Sequence, residues 1–432
     1  MNVESALHNE EIVLVTRRFP YNHGEVAAES YLENEIIHLA AAFKRVIVLA
    51  TEAPRQTAIV QEVPGNVRAV PLGARISKTA RIQYLIGGLW SMMFRKSIRG
   101  VKCAYDGQKG AAQNAFKAYF WGRTVDKYKL MVKAIEGVGV IPSCIYSFWM
   151  YDTALASAMV ARDLNCAVVS RAHGYDLYGE RNRFSFIPFQ EAMLDKLDLV
   201  FPCSLDGERY LRSKYPEMRN KIECLRLGTA EFQDCQPAGC SSSFDLVSCS
   251  RMVGLKRVEL IAGAMRLLDQ EGFKGSWTHF GDGPAKSEVE RIVAGVHNIK
   301  VNLMGNRSNS EVLNYYANNH VSLFVNVSTS EGVPISIMEA MGFGIPVLAT
   351  DVGGTSELVR SEKNGVLIGV EIDERGIAEQ INALSHMSAS EYGLMRIAAR
   401  DTWQKKCRTK ANVEDLLIRI ERLTREKGCG SE

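Results

Sequence analysis

The stretch 321–359 constrains the fold of this chain more than any other part of it. It begins with an apolar, mostly β-branched run, 321–327, which is typical of a buried strand in a parallel sheet. After a polar loop, Pro334 suits the first turn of a helix predicted over 335–341. A second buried strand is predicted over 345–350. Such a strand, loop, helix and strand unit predicts an open α/β sheet.

Two glutamates of this stretch lie close to the predicted helix start. Glu331 is in the loop, and Glu339 follows eight positions later inside the helix. A helix N-terminus favours an anion, whereas carboxylates favour hydrogen-bond donors such as sugar hydroxyls. Together they describe a nucleotide-sugar site. The alternative is one Glu that favours the helix dipole and an unrelated second Glu paired with a basic residue.

The whole string SEGVPISIMEAMGFGIPVLATDVGG favours the first interpretation. It resembles the signature of the family 4 retaining glycosyltransferases, which have the two-domain GT-B fold and a Glu-x7-Glu motif. The resemblance implies that Glu331 contacts the transferred sugar and that Glu339 holds the ribose hydroxyls. It also implies that the residues at the helix start contact the donor, namely Gly332, Val333, Pro334 and Ile335.

Length and composition fit a two-domain α/β enzyme. A chain of 432 residues exceeds one ordinary domain, and its net charge of +3 is too small to indicate a nucleic-acid partner. Ten cysteines without zinc-ligand spacing suggest a reducing compartment. The acidic start is unlike a signal peptide, and no apolar run is long enough to span a bilayer. We therefore expect a cytoplasmic protein, with contact to the inner face of the plasma membrane still open.

The N-terminal half carries two shorter motifs. A strand is predicted over 11–16, and the following loop contains Gly24 within FPYNHGE, which would let a backbone approach a phosphate or sugar closely. This string resembles the first loop of family members that build bacterial surface polysaccharides. His173, in AHGYD after a strand predicted over 167–171, resembles the family histidine that faces the donor sugar. It is not assigned as a general base.

The segment 75–135 differs in character from the rest. It holds thirteen basic residues against two acidic ones, interleaved with aromatic and aliphatic side chains at roughly helical spacing. This pattern suits the surface of an anionic membrane, in which case the acceptor would be lipid-linked. It equally suits a helical insertion whose aromatic face packs on the domain and whose basic face is solvated.

The C-terminal half carries the remaining donor motifs. SRMVGLKR resembles the family segment whose Arg and Lys grip the donor diphosphate, which implies that role for Arg251 and Lys256. Arginine and lysine can neutralise a leaving pyrophosphate. Gly281, in a segment that resembles the family Gly-Asp-Gly-Pro turn, and Gly305, after a strand that resembles the one lining the base pocket, are implied to approach the donor through backbone groups.

The predicted organisation is two doubly wound, Rossmann-like domains facing across a cleft. The boundaries are an N-terminal acceptor-side domain over 1–232 with the basic insertion at about 75–135, a linker over 233–243, a nucleotide-sugar-binding domain over 244–400, and a helix over 401–432 that crosses back to the N-terminal domain.

The chain lacks any Asp-x-Asp triplet, so no metal or other cofactor is expected and positive charge must come from Arg251, Lys256 and helix dipoles. The expected reaction moves a sugar from a nucleoside diphosphate donor to a hydroxyl of a glycan or lipid-linked glycan, with retention, in surface polysaccharide biosynthesis. Two alternatives stay open: a GT-B nucleotide-sugar epimerase or hydrolase, and a non-catalytic subunit of a polysaccharide assembly complex. The intact Arg, Lys and two Glu argue against the second.

Overall fold

The computed structural model describes residues 7–21, 29, 31–59, 61–74, 77–94, 96–107, 109–182, 184–232 and 243–428. The chain divides into two compact units, each built on its own sheet. The first unit comprises Met1–Leu225 and Lys410–Glu432, and the second comprises Arg226–Thr409. The predicted linker, 233–243, lies outside the described residues apart from Ser243.

The first unit is built on a six-stranded parallel sheet in the order β3-β2-β1-β6-β7-β8. Its strands are β1 (Glu11–Thr16), β2 (Arg45–Ala50), β3 (Val67–Pro71), β6 (Cys144–Ser147), β7 (Ala167–Ala172) and β8 (Leu199–Pro202), with β4 (Ser97–Ile98) and β5 (Val101–Lys102) forming a separate antiparallel pair. Its helices are α1 (Tyr31–Ala42), α2 (Lys78–Met93), α3 (Ala111–Val138), α4 (Asp152–Leu164), α5 (Gln190–Lys196) and α6 (Leu205–Lys214), with 3-10 turns at Gly179–Arg181 and Pro216–Lys221.

The second unit repeats this topology in the order β11-β10-β9-β12-β13-β14. Its strands are β9 (Phe244–Cys249), β10 (Gly275–Phe280), β11 (Lys300–Leu303), β12 (Leu323–Asn326), β13 (Val347–Thr350) and β14 (Gly365–Ile368). Its helices are α7 (Val258–Gln270), α8 (Lys286–Val293), α9 (Asn309–Asn318), α10 (Ile335–Gly342), α11 (Glu374–Ser385) and α12 (Ala389–Lys406), with a 3-10 turn at Thr355–Glu357.

Each sheet has one position where the strand order reverses. In the first unit this point lies between β1 and β6, and in the second between β9 and β12. Loops that leave such strands at their carboxyl ends diverge and open a crevice, which is where open α/β sheets bind ligands. A ligand site is therefore expected at the loops after β1, β9 and β12.

The central strands β1, β2, β12 and β13 are buried because they are largely apolar on both faces. All four residues of β12 and of β13 are buried, as are five of the six in β1 and in β2. This is the pattern of parallel strands covered by helices on both sides. Residues 222–225 run beside β8 without being part of a named strand: Glu223 N–H and Leu225 N–H donate to the carbonyls of Val200 and Pro202 at 3.0 and 2.9 Å.

The basic segment forms two helices joined by the short β4-β5 pair. On α3, Phe120 and Trp121 are buried in the core of the first unit. On α2, by contrast, apolar side chains at helical spacing are exposed, namely Ile82, Ile86, Leu89, Trp90 and Met93, with Phe94 just after the helix. The alternative in which an aromatic face packs on the domain thus describes α3. Helix α2, by contrast, keeps an exposed apolar stripe. No helix in the described ranges combines the length and hydropathy needed to cross a bilayer.

The tail is not one helix from residue 401 onwards. Helix α12 ends at Lys406, and a second helix, the C-terminal helix, spans Thr409–Gly428. The break follows from backbone pairing, because Thr229 N–H donates to the Cys407 carbonyl at 2.8 Å and Thr409 N–H donates to the Thr229 carbonyl at 3.1 Å. Helical residues would direct these groups along the helix instead.

The C-terminal helix packs with the first unit through an apolar face and two polar anchors. Its residues Val413, Leu416, Leu417, Ile420 and Leu423 are buried. Arg419 pairs with Glu223 at 3.3 Å, and Lys427 pairs with Asp198 at 2.8 Å.

Candidate functional site

The loop between β9 and α7 carries Arg251 and Lys256, the two residues predicted to bind the donor diphosphate. Arg251 is exposed, and its side chain makes no hydrogen bond or ion pair with the described residues, so its guanidinium is available to a ligand. Arg257 has a structural role instead, since it donates to the carbonyls of Val327 at 2.7 Å and Val370 at 2.6 Å. It therefore fixes the end of this loop to the segments that follow β12 and β14.

Two glycines let the loop after β10 approach the loop after β9. Gly281 has φ +138°, and a Cβ there would lie 1.9 Å from the Ser250 carbonyl oxygen. Gly283 has φ +159°, and its Cβ would lie 2.5 Å from the Met252 carbonyl oxygen. Only glycine fits such contacts. Gly281 N–H also donates to the carbonyl of Gly305 at 2.9 Å, so the two predicted backbone positions are adjacent.

The structure brings Lys256 and Glu331 into direct contact. Lys256 Nζ donates to Glu331 Oε1 at 2.6 Å, and Asn326 Nδ2, at the end of β12, donates to the same oxygen at 3.2 Å. Glu331 is only 8% exposed. A buried carboxyl group needs hydrogen-bond donors of this kind to offset the loss of its hydration. The pair thus holds one charge of each sign at the carboxyl edge of the sheet.

The turn after β13 packs against the backbone of the loop that carries Glu331. Gly353 has φ +55°, and a Cβ there would lie 2.1 Å from the Glu331 carbonyl oxygen. Gly354 N–H donates to the Gly332 carbonyl at 2.7 Å. Close backbone packing against residues 331–332 therefore explains the glycine at position 353.

Helix α10 starts directly after this loop. Pro334 is its N-cap residue, and the Pro334 carbonyl accepts from Ile337 and Met338 at 3.2 and 3.3 Å. Val333 and Pro334 are buried, whereas Gly332 and Ile335 are half-buried. The N–H groups of the first turn have no carbonyl inside the helix to bind, so they can bind an anion.

Glu339 lies one turn further along α10 and is 7% exposed. Asn309 Nδ2, in the first turn of α9, donates to its Oε1 at 2.6 Å. Burial raises the pKa of Glu339 to about 7, while the Asn309 hydrogen bond opposes that rise. The hydroxyl of Tyr316, also on α9, is buried and has no partner among the described residues. A carboxyl with few protein partners can accept hydrogen bonds from ligand hydroxyls.

His173 belongs to the first unit, directly after β7. Its ring lies 4.4 Å from that of Trp149 and 4.8 Å from that of Phe148. Its Nδ1 lies 3.3 Å from Oδ2 of Asp176, whose Oδ1 accepts the backbone N–H of His173 at 2.8 Å. Nε2 is buried without a partner among the described residues.

The protonation of His173 follows from its neighbours. Burial alone lowers the pKa of the ring, but Cys203 and the Asp176 carboxylate outweigh this effect and raise the pKa to about 10. These neighbours therefore favour the protonated form of the ring.

Gly24 lies outside the described residues. The loop after β1 is nevertheless ordered at its start by Glu29, which the sequence pattern did not single out. The Glu29 carboxylate accepts the backbone N–H groups of Arg17, Arg18 and Phe19 at 2.7–2.9 Å and the indole N–H of Trp149 at 2.6 Å.

Sequence reasoning also missed Asn326 and Asn309, the partners of Glu331 and Glu339. The position of Asn326 at the carboxyl end of an apolar strand was the available signal, whereas nothing in the sequence relates Asn309 to Glu339. Within the described ranges, no group of three or more His, Cys, Asp or Glu side chains is arranged to hold a metal ion.

Solved structures share this architecture over nearly the whole chain. A sucrose-phosphate synthase from Thermosynechococcus elongatus aligns with a TM-score of 0.69 and 16% identity, covering 98% of this chain and 100% of that one. Anabaena HepE, solved with UDP and glucose, aligns with a TM-score of 0.61 and 15% identity, covering 95% and 99%. Together with the two sheets and the loops described above, this similarity shows the GT-B fold.

A family model matches part of the second unit. Residues 243–386 match the model described as "Glycosyl transferases group 1". This segment contains Arg251, Lys256, Gly281, Gly305, Glu331 and Glu339.

Named sequence relatives match over shorter lengths of the chain than the solved structures do. The Escherichia coli (strain K12) protein named "Putative colanic acid biosynthesis glycosyltransferase WcaL" is 26% identical over 237 residues, which cover 53% of this chain and 58% of WcaL. The amylovoran biosynthesis glycosyltransferase AmsK of Erwinia amylovora is 27% identical over 149 residues, covering 33% and 36%. The matches thus span less than two thirds of either relative.

Proposed function

We propose that this protein is a retaining glycosyltransferase that moves a sugar from a nucleoside diphosphate donor to a hydroxyl of a glycan or lipid-linked glycan, in surface polysaccharide biosynthesis. The observation that carries the proposal is the contact between Lys256 and Glu331 in the segment that matches the group 1 glycosyltransferase model, whose Arg251 side chain has no partner among the described residues. The names of WcaL and AmsK support the biosynthetic setting.

The donor would bind to the second unit by its charged and hydroxyl groups. Arg251 and Lys256 would hold the diphosphate, because a guanidinium and an ammonium can together neutralise it. Lys256 has three N–H donors and uses one on Glu331, so two stay available. Glu331 would orient the transferred sugar, and Glu339 would accept the ribose hydroxyls.

The proposed chemistry is a front-face displacement. The bond from the anomeric carbon to the diphosphate oxygen breaks, the bond from that carbon to the acceptor oxygen forms on the same face, and the leaving phosphate takes the acceptor proton. Arg251 and Lys256 stabilise the negative charge that develops on the leaving group, which lowers the barrier without a metal ion.

Contact with a membrane surface is the second part of the proposal. The exposed stripe on α2 is flanked by basic residues, and Lys96 Nζ lies 3.6 Å from the centre of the Trp90 ring. An amphipathic helix of this composition binds an anionic bilayer through both apolar burial and charge. This contact favours a lipid-linked acceptor.

The test is a screen of the purified protein against UDP-, GDP-, ADP- and dTDP-sugars, with and without EDTA. UDP-sugars come first because HepE was solved with UDP and glucose. We expect a thermal shift with one nucleotide that EDTA does not change, since ligand binding to the folded state raises its stability.

The same screen separates the alternatives through its products. Release of nucleoside diphosphate without any acceptor would favour a hydrolase, and a new sugar epimer would favour an epimerase. The absence of a shift with every donor would favour the non-catalytic subunit and contradict the proposal.

A further inference from the structure

We propose that a basic pocket of the first unit binds a phosphate or diphosphate group carried by the acceptor. This inference rests on the proposed function, because it names the chemical class of the acceptor. The pocket, called the basic pocket below, is a cavity of about 150 Å³ at the carboxyl end of β1 and β2. It is lined by Arg17, Glu52, Ala74, Arg81, Tyr84, Tyr119, Arg123 and Lys127.

The carboxylates around the basic pocket are already paired. Glu52 accepts from Arg17 at 2.9 Å, from Arg123 at 2.8 Å and from Lys127 at 3.1 Å. Behind these side chains, Asp152 pairs with Arg123 at 2.9 Å and with Lys127 at 3.1 Å. Four cationic side chains thus line a cavity with one carboxylate, which leaves an excess of positive charge even when Asp152 is counted.

The cations keep hydrogen-bond donors for a ligand. Arg81 is exposed, and its side chain has no partner among the described residues. Arg123 donates one of its five N–H groups to Glu52 and makes an ion pair with Asp152, so other N–H groups stay available. The Tyr119 ring lies under Arg123, 5.8 Å from its guanidinium carbon. Arginines in such an arrangement suit the oxygens of a phosphate, which accept several N–H groups at once.

The size of the cavity agrees with this ligand. A cavity of roughly 10–15 Å³ on the same measure holds one water molecule, so this cavity of about 150 Å³ has room for a phosphate or diphosphate group. Its charged lining, with four cationic side chains, favours an anionic ligand.

The position of the basic pocket links it to both functional features of the first unit. Arg17 Nη1 donates to the Tyr175 hydroxyl at 3.2 Å, and the Tyr175 ring lies 5.3 Å from that of Trp149, on which His173 packs. On the other side, Arg81 and Tyr84 belong to α2, the helix with the exposed apolar stripe. A phosphate held here would lie between the stripe and the His173 loop, as expected for a lipid phosphate that carries the acceptor sugar.

Calorimetric titration of the full chain with inorganic pyrophosphate tests the pocket without any donor or transfer. Because pyrophosphate can also bind Arg251 in the second unit, Arg81→Gln is compared with Arg251→Gln. The matched control is Lys78→Gln, an exposed position three residues earlier on α2 that does not line the cavity.

We expect Arg81→Gln to weaken pyrophosphate binding to the first unit roughly tenfold, the loss of one charge-assisted contact, while Lys78→Gln changes it by less than about twofold. Arg251→Gln should leave this binding in place. Unchanged binding in Arg81→Gln, or loss of all pyrophosphate binding in Arg251→Gln, would overturn the proposal.

The source of the phosphate is tested with three further probes: farnesyl diphosphate, farnesol, and vesicles of phosphatidylglycerol. Tighter binding of farnesyl diphosphate than of pyrophosphate, with an Arg81→Gln effect on both and none on farnesol, assigns the pocket to a lipid-linked diphosphate. An Arg81→Gln effect confined to the vesicles would assign it to a membrane headgroup and overturn the acceptor role. Binding that persists although no sugar transfer is found would refute the proposed function and not the pocket.

Discussion

Lys256 Nζ and Glu331 Oε1 lie 2.6 Å apart, although 75 residues separate them in the chain. The contact forms because β9 and β12 are neighbours in the sheet, so the loops that follow them leave from adjacent positions. The buried Glu331 side chain is thereby held in place by an ion pair within the second unit. The residue predicted to bind the diphosphate, Lys256, and the residue predicted to bind the sugar, Glu331, are thus in direct contact.

Glu331→Gln should reduce sugar transfer far more than donor affinity. The amide keeps the shape of the side chain but loses the negative charge that would orient the sugar. We expect kcat to fall on the order of 100-fold while the Kd for the donor stays within about threefold. Transfer rates and donor titrations on the same preparation measure both. An equal loss in both quantities would contradict the sugar-orienting role.

Lys256→Met should destabilise the second unit, because it leaves the Glu331 carboxylate buried without its cation. We expect a loss of about 1–3 kcal/mol in the free energy of unfolding, measured by urea denaturation. In the double variant with Glu331→Gln, the uncompensated charge is gone, so most of this loss should disappear. Additive losses in the double variant would mean that the two side chains do not interact in solution.

Gly281→Ala should disrupt the site, since the new Cβ would lie 1.9 Å from the Ser250 carbonyl oxygen and the backbone has φ +138°. The loops after β9 and β10 must then separate, which moves Arg251. The control is Gly254→Ala in the loop after β9, which carries Arg251; a Cβ at Gly254 meets nothing within 4 Å. We expect nucleotide binding to be lost in the first variant and kept in the second, as measured by thermal shift. Binding in Gly281→Ala would show that this close approach is not needed.

Stability should depend on pH through Glu339. Burial raises the pKa of Glu339 to about 7 from an ordinary value of 4.5, so the folded state favours the protonated form. Below about pH 4.5 the group is protonated in both states and no penalty exists, whereas above about pH 7 the folded state holds a buried carboxylate. We therefore expect Glu339→Gln to gain stability relative to the parent as pH rises from 4.5 to 8, by up to about 3 kcal/mol.

Urea denaturation at both pH values measures this difference. Glu379→Gln, at an exposed position on α11, is the control and should show no such trend. If the gain is the same at pH 4.5 and pH 8, Glu339 titrates normally and the burial argument fails.

Membrane binding should depend on the exposed apolar stripe on α2. Changing Trp90 and Met93 to Ser removes apolar contact area, and we expect binding to phosphatidylglycerol vesicles to weaken at least about tenfold in a sedimentation assay. Leu394 and Ile397, exposed on α12, changed to Ser provide the control. Equal effects of the two pairs, or no binding by the parent, would leave the stripe without a membrane role.

The strands of the fold were predictable because parallel buried strands are apolar throughout. The predicted strand 11–16 and the observed β1 have the same bounds, and the predicted helix 335–341 differs from α10 by one residue. The tail was less predictable. Its apolar spacing continues through residues 407–408, and only pairing with Thr229, about 180 positions earlier, shows that the helix is broken there.

For the candidate site, the sequence determined which residues belong to the donor motifs, because each motif is a local pattern of glycines, acids and bases at strand ends. Only the tertiary structure decided their partners: Lys256 for Glu331, Asn309 for Glu339, and Glu52 for three cations of the basic pocket. Such pairings depend on which strands become neighbours and on which side chains lose water. Both are set by packing between distant segments, and neither is encoded in local spacing.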